Sequence, residues 1–128
     1  MSQDVWTGID AYIAEHLVPP DPVLDSALEA ASAAGLPQIS VAPNQGKLLH
    51  MLARIGGAKN VLELGTLAAY STIWLARALP EDGRVITVEA DAKHALVARA
   101  NLARAGLSNI VEVWEMDALS ALPDIARK

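Results

Sequence analysis

The chain has 128 residues, 52% of them hydrophobic and 4% aromatic, with a formal net charge of −5 and no cysteine. That length suits one domain with a real core, and the lack of cysteine excludes thiol catalysis, disulfides and cysteine-ligated zinc. The acidic balance argues against nucleic acid duplexes or anionic membranes as partners, and the shortage of aromatic rings argues against a stacking platform for single strands.

The first elements read as helices. Val5, Ile9, Tyr12, Ile13 and Leu17 recur at helical spacing and predict a helix over residues 4–17. Pro19-Pro20-Asp21-Pro22 ends it, because proline lacks an amide donor. Asp21 is expected to cap a second helix, with Pro22 at its first position. That helix runs to about residue 34, where Gly35-Leu36-Pro37 closes it. Residues 39–43 read as an extended connector. Leu48, Leu49, Leu52 and Ile55 predict a third helix over residues 44–55, ended by Gly56-Gly57. Neither a signal peptide at Met1-Ser2-Gln3-Asp4 nor an apolar run of about 18 residues is present, so a cytoplasmic protein is expected.

From residue 58 onward strands alternate with helices. Residues 61–64 predict a buried strand and residues 70–79 a helix, with a turn at Pro80-Glu81-Asp82-Gly83. Residues 85–89 predict the second strand, 92–105 a helix capped by Gly106, and 110–114 the third strand. A last helix is expected to start at residue 118 and to break at Pro123. Such alternation implies an α/β fold with a parallel sheet and right-handed crossovers. The chain thus divides into a helical segment, 1–57, and a βαβαβ half, 58–128, of a single domain, with the first strand at one edge of the sheet.

The strand-to-helix turns carry the polar residues. Glu63, near the end of an apolar strand, is costly to bury without partners; it can orient the turn amides or attract a positive ligand group. Gly65 lets the backbone approach a ligand, and Ser71 lies at a helix start, where free amides point outward. Leu67 and Ala68-Ala69 stand where a dinucleotide fold has its later glycines, which disfavours a pyrophosphate cradle and a nicotinamide cofactor. Glu89 ends the second strand, where it can accept hydrogen bonds from both ribose hydroxyls; its plainer reading is a solvated strand-end acid. Asp91 reads as the cap of the next helix. Asp117 can accept from an adenine amino group and the Ala118 amide can donate to a ring nitrogen; Asp117 can equally cap the last helix. His16, His50 and His94 lack metal-ligand spacing.

Taken together, Gln45-Gly46-Lys47-Leu48-Leu49, Val61-Leu62-Glu63-Leu64-Gly65-Thr66, Tyr70-Ser71-Thr72-Ile73-Trp74-Leu75-Ala76, Arg84-Val85-Ile86-Thr87-Val88-Glu89 and Ala98-Arg99-Ala100-Asn101 resemble the class I S-adenosylmethionine-dependent methyltransferases. The similarity is greatest to the cation-dependent O-methyltransferases, the group of catechol and caffeoyl-CoA O-methyltransferases. The resemblance implies a Rossmann-like methyltransferase fold and S-adenosylmethionine as cofactor. Val41 would contact the methionine part through its backbone. Glu63, Gly65 and Ser71 would hold the amino-acid end, Glu89 the ribose, and Asp117 with Ala118 the adenine. The implied reaction is methyl transfer to a hydroxyl of a small molecule, assisted by a divalent ion, usually magnesium. A homodimer is implied, with neither membrane nor nucleic acid as partner.

Three departures accompany the resemblance. Ala68 and Ala69 stand where the family has glycine, so two methyl groups are expected to press toward the methionine pocket. Met116 stands where glycine is common beside adenine. The chain also ends before the family's fourth strand, metal-binding carboxylates and catalytic lysine. The first strand's free edge is therefore expected to be covered by another copy, by an N-terminal helix or by further chain. The alternative function is a non-catalytic binding or dimerisation module of the same fold.

Overall fold

The structure is a computed structural model that describes residues 2–127. Its elements are α1 (Gln3–Leu17), α2 (Pro22–Ala33), α3 (Pro43–Ile55), β1 (Asn60–Leu64), α4 (Tyr70–Ala76), β2 (Arg84–Glu89), α5 (Ala92–Arg104), β3 (Val111–Glu115) and α6 (Ala118–Ile125). The strands form one parallel sheet in the order β1-β2-β3, with β1 at the edge as the alternation predicts. Glu63 lies opposite Thr87, and Glu89 opposite Glu115.

Local chemistry starts and stops the helices. Asp21 Oδ1 accepts from the amides of Val23 and Leu24 at 3.0 and 3.2 Å, capping α2, while Pro22 opens the helix. The other Asp21 oxygen accepts from Arg77, which ties α2 to the end of α4. Asp91 caps α5 through the amides of Lys93 and His94.

Two helix ends differ from expectation. α4 stops at Ala76 rather than at residue 79. The amides of Ala78 and Leu79 turn back to carbonyls only three residues earlier, and Pro80 keeps the residue before it out of a helical conformation. Conversely, α6 does not break at Pro123 but continues to Ile125. Proline removes only the bond to the Leu119 carbonyl, and Leu119 is well exposed, so water can serve that oxygen.

One face of the sheet carries the core. Val61, Val85, Val111 and Val113 pack there against Leu24 and Ala27 of α2, Tyr70, Ile73 and Ala76 of α4, and Ala98 and Leu102 of α5. Burying this set drives folding through the apolar area it removes from water. On the opposite face α6 lies against β2, and a hollow of about 400 Å³ is lined by Leu62, Ile86, Glu112 and Ile125, among others.

β1 is not the buried strand that its composition suggests. Asn60, Leu62 and Leu64 are exposed, and Val61 and Glu63 are half-buried. Only β2 pairs with it among the described residues, and the N-terminal helices leave it open. Those helices keep apolar surface of their own. α1 buries no residue, and Trp6, Tyr12, Leu17, Leu48, Leu52 and Ile55 across α1 and α3 are exposed. No helix among the described residues is long and apolar enough to cross a membrane.

Candidate functional site

A cavity of about 340 Å³ opens at the carboxyl ends of β1 and β2. The connector before α3 supplies Ile39, Ser40 and Val41 to its wall. The turn after β1 and the start of α4 supply Gly65, Thr66, Leu67, Tyr70 and Ser71, and the end of β2 and first turn of α5 supply Glu89 and His94. No lysine or arginine lines it among the described residues.

The turn between β1 and α4 is built from unusual backbone. Gly65 has φ +88°, a conformation that side chains rarely adopt, and its amide extends the β1–β2 ladder to the Val88 carbonyl at 2.8 Å. Leu67 and Ala69 also have positive φ, 52° and 65°, although neither is glycine. Each such left-handed residue costs about 1–2 kcal/mol, so the surroundings must hold the turn in place.

Glu89 is the residue that holds it. Its Oε2 accepts from the Thr66 amide at 3.1 Å and the Leu67 amide at 2.8 Å, and its Oε1 accepts from the Asp91 amide at 3.0 Å. His94 Nδ1 lies 3.7 Å from Oε1. Burial alone would push the Glu89 carboxyl up, but the three amides and the neighbouring His94 outweigh it and hold the group below the ordinary carboxylate range. Orienting the turn amides, one role open to Glu63 from sequence, thus belongs to Glu89.

Glu63 sits behind the cavity wall with partners of another kind. Ser71 Oγ donates to its Oε1 at 2.7 Å. Thr72 Oγ1 and Thr87 Oγ1 donate to its Oε2 at 2.5 and 2.6 Å. Thr66 Oγ1 lies 2.6 Å from Thr87 Oγ1 and extends the network. Glu63 reaches the cavity through Ser71 rather than by lining it.

The two alanines do not press on the cavity. Ala69 is fully buried in the main core beside Tyr70 and Ile73, and Ala68 is buried with Ala31 and Leu36 in a second cluster. Leu67 and Ala69 have left-handed backbone, and both alanine side chains pack in buried clusters instead of lining the cavity. Asn101, itself buried, fixes the same segment: its Nδ2 donates to the Ala68 carbonyl at 2.9 Å and to the Ala27 carbonyl of α2 at 3.3 Å.

Of the residues singled out from sequence, Val41, Gly65, Ser71 and Glu89 come together on the cavity wall, with Glu63 immediately behind. Asp117 and Ala118 start α6 and do not line it; Asp117 caps that helix through the Ser120 amide and hydroxyl. Sequence reasoning gave no role to His94 or Thr87. The signal for His94 was the Asp91 cap, which sets it at the third position of α5, facing the end of β2. Among the described residues no group of three or more His, Asp or Glu side chains could hold a metal ion.

Comparison with known proteins identifies the family and the fold. The sequence profile of the family described as O-methyltransferase matches residues 14–128. A catechol O-methyltransferase from Niastella koreensis is 48% identical over the whole of this chain, which covers 58% of that protein. A catechol O-methyltransferase from Mycobacterium tuberculosis is 51% identical over 92% of this chain, covering 54% of that protein. The O-methyltransferase from Bacillus cereus, solved in complex with SAH, superimposes with a TM-score of 0.94 at 48% identity, over 98% of this chain and 57% of that one. The chain therefore spans a little over half the length of the relatives it matches, and it belongs to the O-methyltransferase family.

Proposed function

We propose that the cavity binds S-adenosylmethionine, and that the chain supplies the cofactor-binding part of an O-methyltransferase acting on a hydroxyl of a small molecule. The observation that carries this reading is a cavity with Glu89 in its wall at one end, Ser71 backed by Glu63 at the other, and no lysine or arginine lining it among the described residues. Glu89 uses three of about four acceptor positions on its backbone partners, which leaves one free for a ribose hydroxyl. At the other end Ser71, backed by Glu63, suits the ammonium of the methionine moiety. Gly65 and Val41 offer backbone between these ends. Asp117 and Ala118 would border the adenine from the loop after β3, at the same carboxyl edge of the sheet.

In the reaction the acceptor oxygen attacks the methyl carbon of the sulfonium. The carbon–sulfur bond breaks, its electron pair stays on sulfur, and S-adenosylhomocysteine (SAH) leaves as a neutral thioether. The acceptor's proton passes to a base. A divalent ion such as magnesium would polarise the acceptor hydroxyl; its ligands would have to come from outside the described residues. The part of this chain is to bind and orient the methyl donor.

A homodimer and a cytoplasmic location belong to the same proposal. The exposed apolar faces of α1 and α3 support a second copy as the partner, and they also favour the second reading, a non-catalytic dimerisation module. Light scattering after gel filtration would give twice the chain mass for a dimer; a monomer mass at high concentration would remove that part.

The test of cofactor binding is calorimetric titration with SAH of the chain and of Glu89→Ala. Micromolar binding that the substitution abolishes is expected. A folded chain that does not bind, or a Glu89→Ala variant that binds equally well, would overturn the reading.

A further inference from the structure

The hydroxyl network around Glu63 has a fixed direction. A hydroxyl carries one proton, and a carboxylate only accepts. Ser71, Thr72 and Thr87 all give their protons to Glu63. The Thr87 proton is thereby spent, so in its 2.6 Å contact with Thr66 it is Thr66 that donates. Protons therefore run inward from Thr66 through Thr87 to Glu63, and from Ser71 to Glu63. Ser71, on the cavity wall, is left with lone pairs alone for a ligand.

Thr72 and Thr87 hold this arrangement. They occupy Oε2 from two elements, α4 and β2, and so leave Oε1 toward Ser71. Both are fully buried, and neither lines the cavity. Packing alone does not require a half-buried carboxylate on this face of β1 with three hydroxyl donors around it; a valine could sit there beside Val61 and Val85.

We propose that Thr87 and Thr72 are positioning residues for the amino-acid end of the cofactor: by donating to Glu63 they keep the Ser71 proton turned inward, so that the Ser71 oxygen meets the ligand's ammonium as an acceptor. The inference rests on the cofactor reading above and adds to it the residues that set polarity at this end. It makes the site selective for a positively charged amine over a carboxylate or hydroxyl donor-seeking group in the same place.

The test compares two ligands that share adenosine and a thioether. SAH carries the amino-acid end; 5′-methylthioadenosine lacks it. Calorimetric titration of the chain, of Thr87→Val and of Thr87→Ser should give a selective pattern. Thr87→Val should weaken SAH about tenfold and leave methylthioadenosine within twofold, and Thr87→Ser, which restores the hydroxyl, should recover SAH binding to within threefold. Thr72→Val should reproduce the selective loss, and it stands in if Thr87→Val does not fold by circular dichroism. Equal weakening of both ligands, no weakening of either, or no recovery with serine would overturn the inference while the cofactor reading stands. A wild-type chain that binds neither ligand would overturn both.

Discussion

Two glutamates on neighbouring strands face the same end of the sheet, and their partners differ in kind. Glu89 is held by the backbone amides of Thr66, Leu67 and Asp91. Glu63 is held by the side-chain hydroxyls of Ser71, Thr72 and Thr87. A backbone amide cannot turn its proton away, so Glu89 is locked into the role of acceptor and the turn is locked around it. A hydroxyl can rotate, so the proton pattern around Glu63 follows the charge at its centre. One acid shapes the site; the other sets its polarity.

The largest effect should come from removing the rigid acid. Glu89→Ala leaves three amides without a partner, at a cost of about 2–4 kcal/mol in urea unfolding, and abolishes SAH binding. A variant as stable as wild type would mean that water or His94 replaces the carboxylate.

Glutamine sharpens the contrast between the two positions. At Glu89 one end of the new amide becomes a donor and must face a backbone donor that cannot turn. Glu89→Gln should cost about 1.5–3 kcal/mol, whereas Glu63→Gln, whose hydroxyl partners can rotate, should cost about 0.5–1 kcal/mol. Equal losses in parallel urea titrations would erase the distinction.

Acid should act through the same locked group. Folding lowers the Glu89 carboxyl pKa, so the folded state takes up its proton less readily than the unfolded chain. The stabilisation is fully present above the unfolded value and is lost as pH falls through the lower, folded one. Asp21, which burial would raise but Arg77 and the α2 amides lower, adds a contribution of the same sign. Melting temperature should therefore fall on acidification through the carboxylate range; a rise there would contradict the assignment.

The smallest effect is expected at Ala69. Glycine relieves a left-handed residue, worth about 1–2 kcal/mol, but removes a buried methyl, worth about 0.8 kcal/mol. Ala69→Gly should leave stability within about 1 kcal/mol and SAH affinity within about twofold. A large gain in affinity would show that the methyl does press on the ligand.

Much of this architecture was legible in the sequence because its signals are local. Asp21-Pro22 and Asp91 announce their helices, and the apolar runs ending in Glu63 and Glu89 announce two strands. Gly65, Ser71 and Glu89 could be picked out because turns at the carboxyl ends of parallel strands are where ligands bind, whereas Val41, in the connector before α3, was indicated only by the family resemblance. What was illegible depends on distant neighbours or on backbone hand. The exposure of Leu62 and Leu64 follows from which strand pairs with β1, not from their hydrophobicity. The Glu63–Thr87 bond follows from a register linking residues 24 apart in sequence. The burial of Ala68 and Ala69 accompanies positive φ at Leu67 and Ala69, residues that rarely adopt it. Helix α6 passes Pro123 because the carbonyl it strands lies in an exposed turn.

The most direct test of where the cofactor binds is an amide ¹H–¹⁵N spectrum of the chain titrated with SAH. The account predicts that the largest shifts fall on Gly65, Thr66, Leu67, Ser71, Asp91 and His94, around the two acids. Saturable binding with those amides unmoved, and shifts instead at α1 and α3 or beside Ile86 and Ile125, would contradict it.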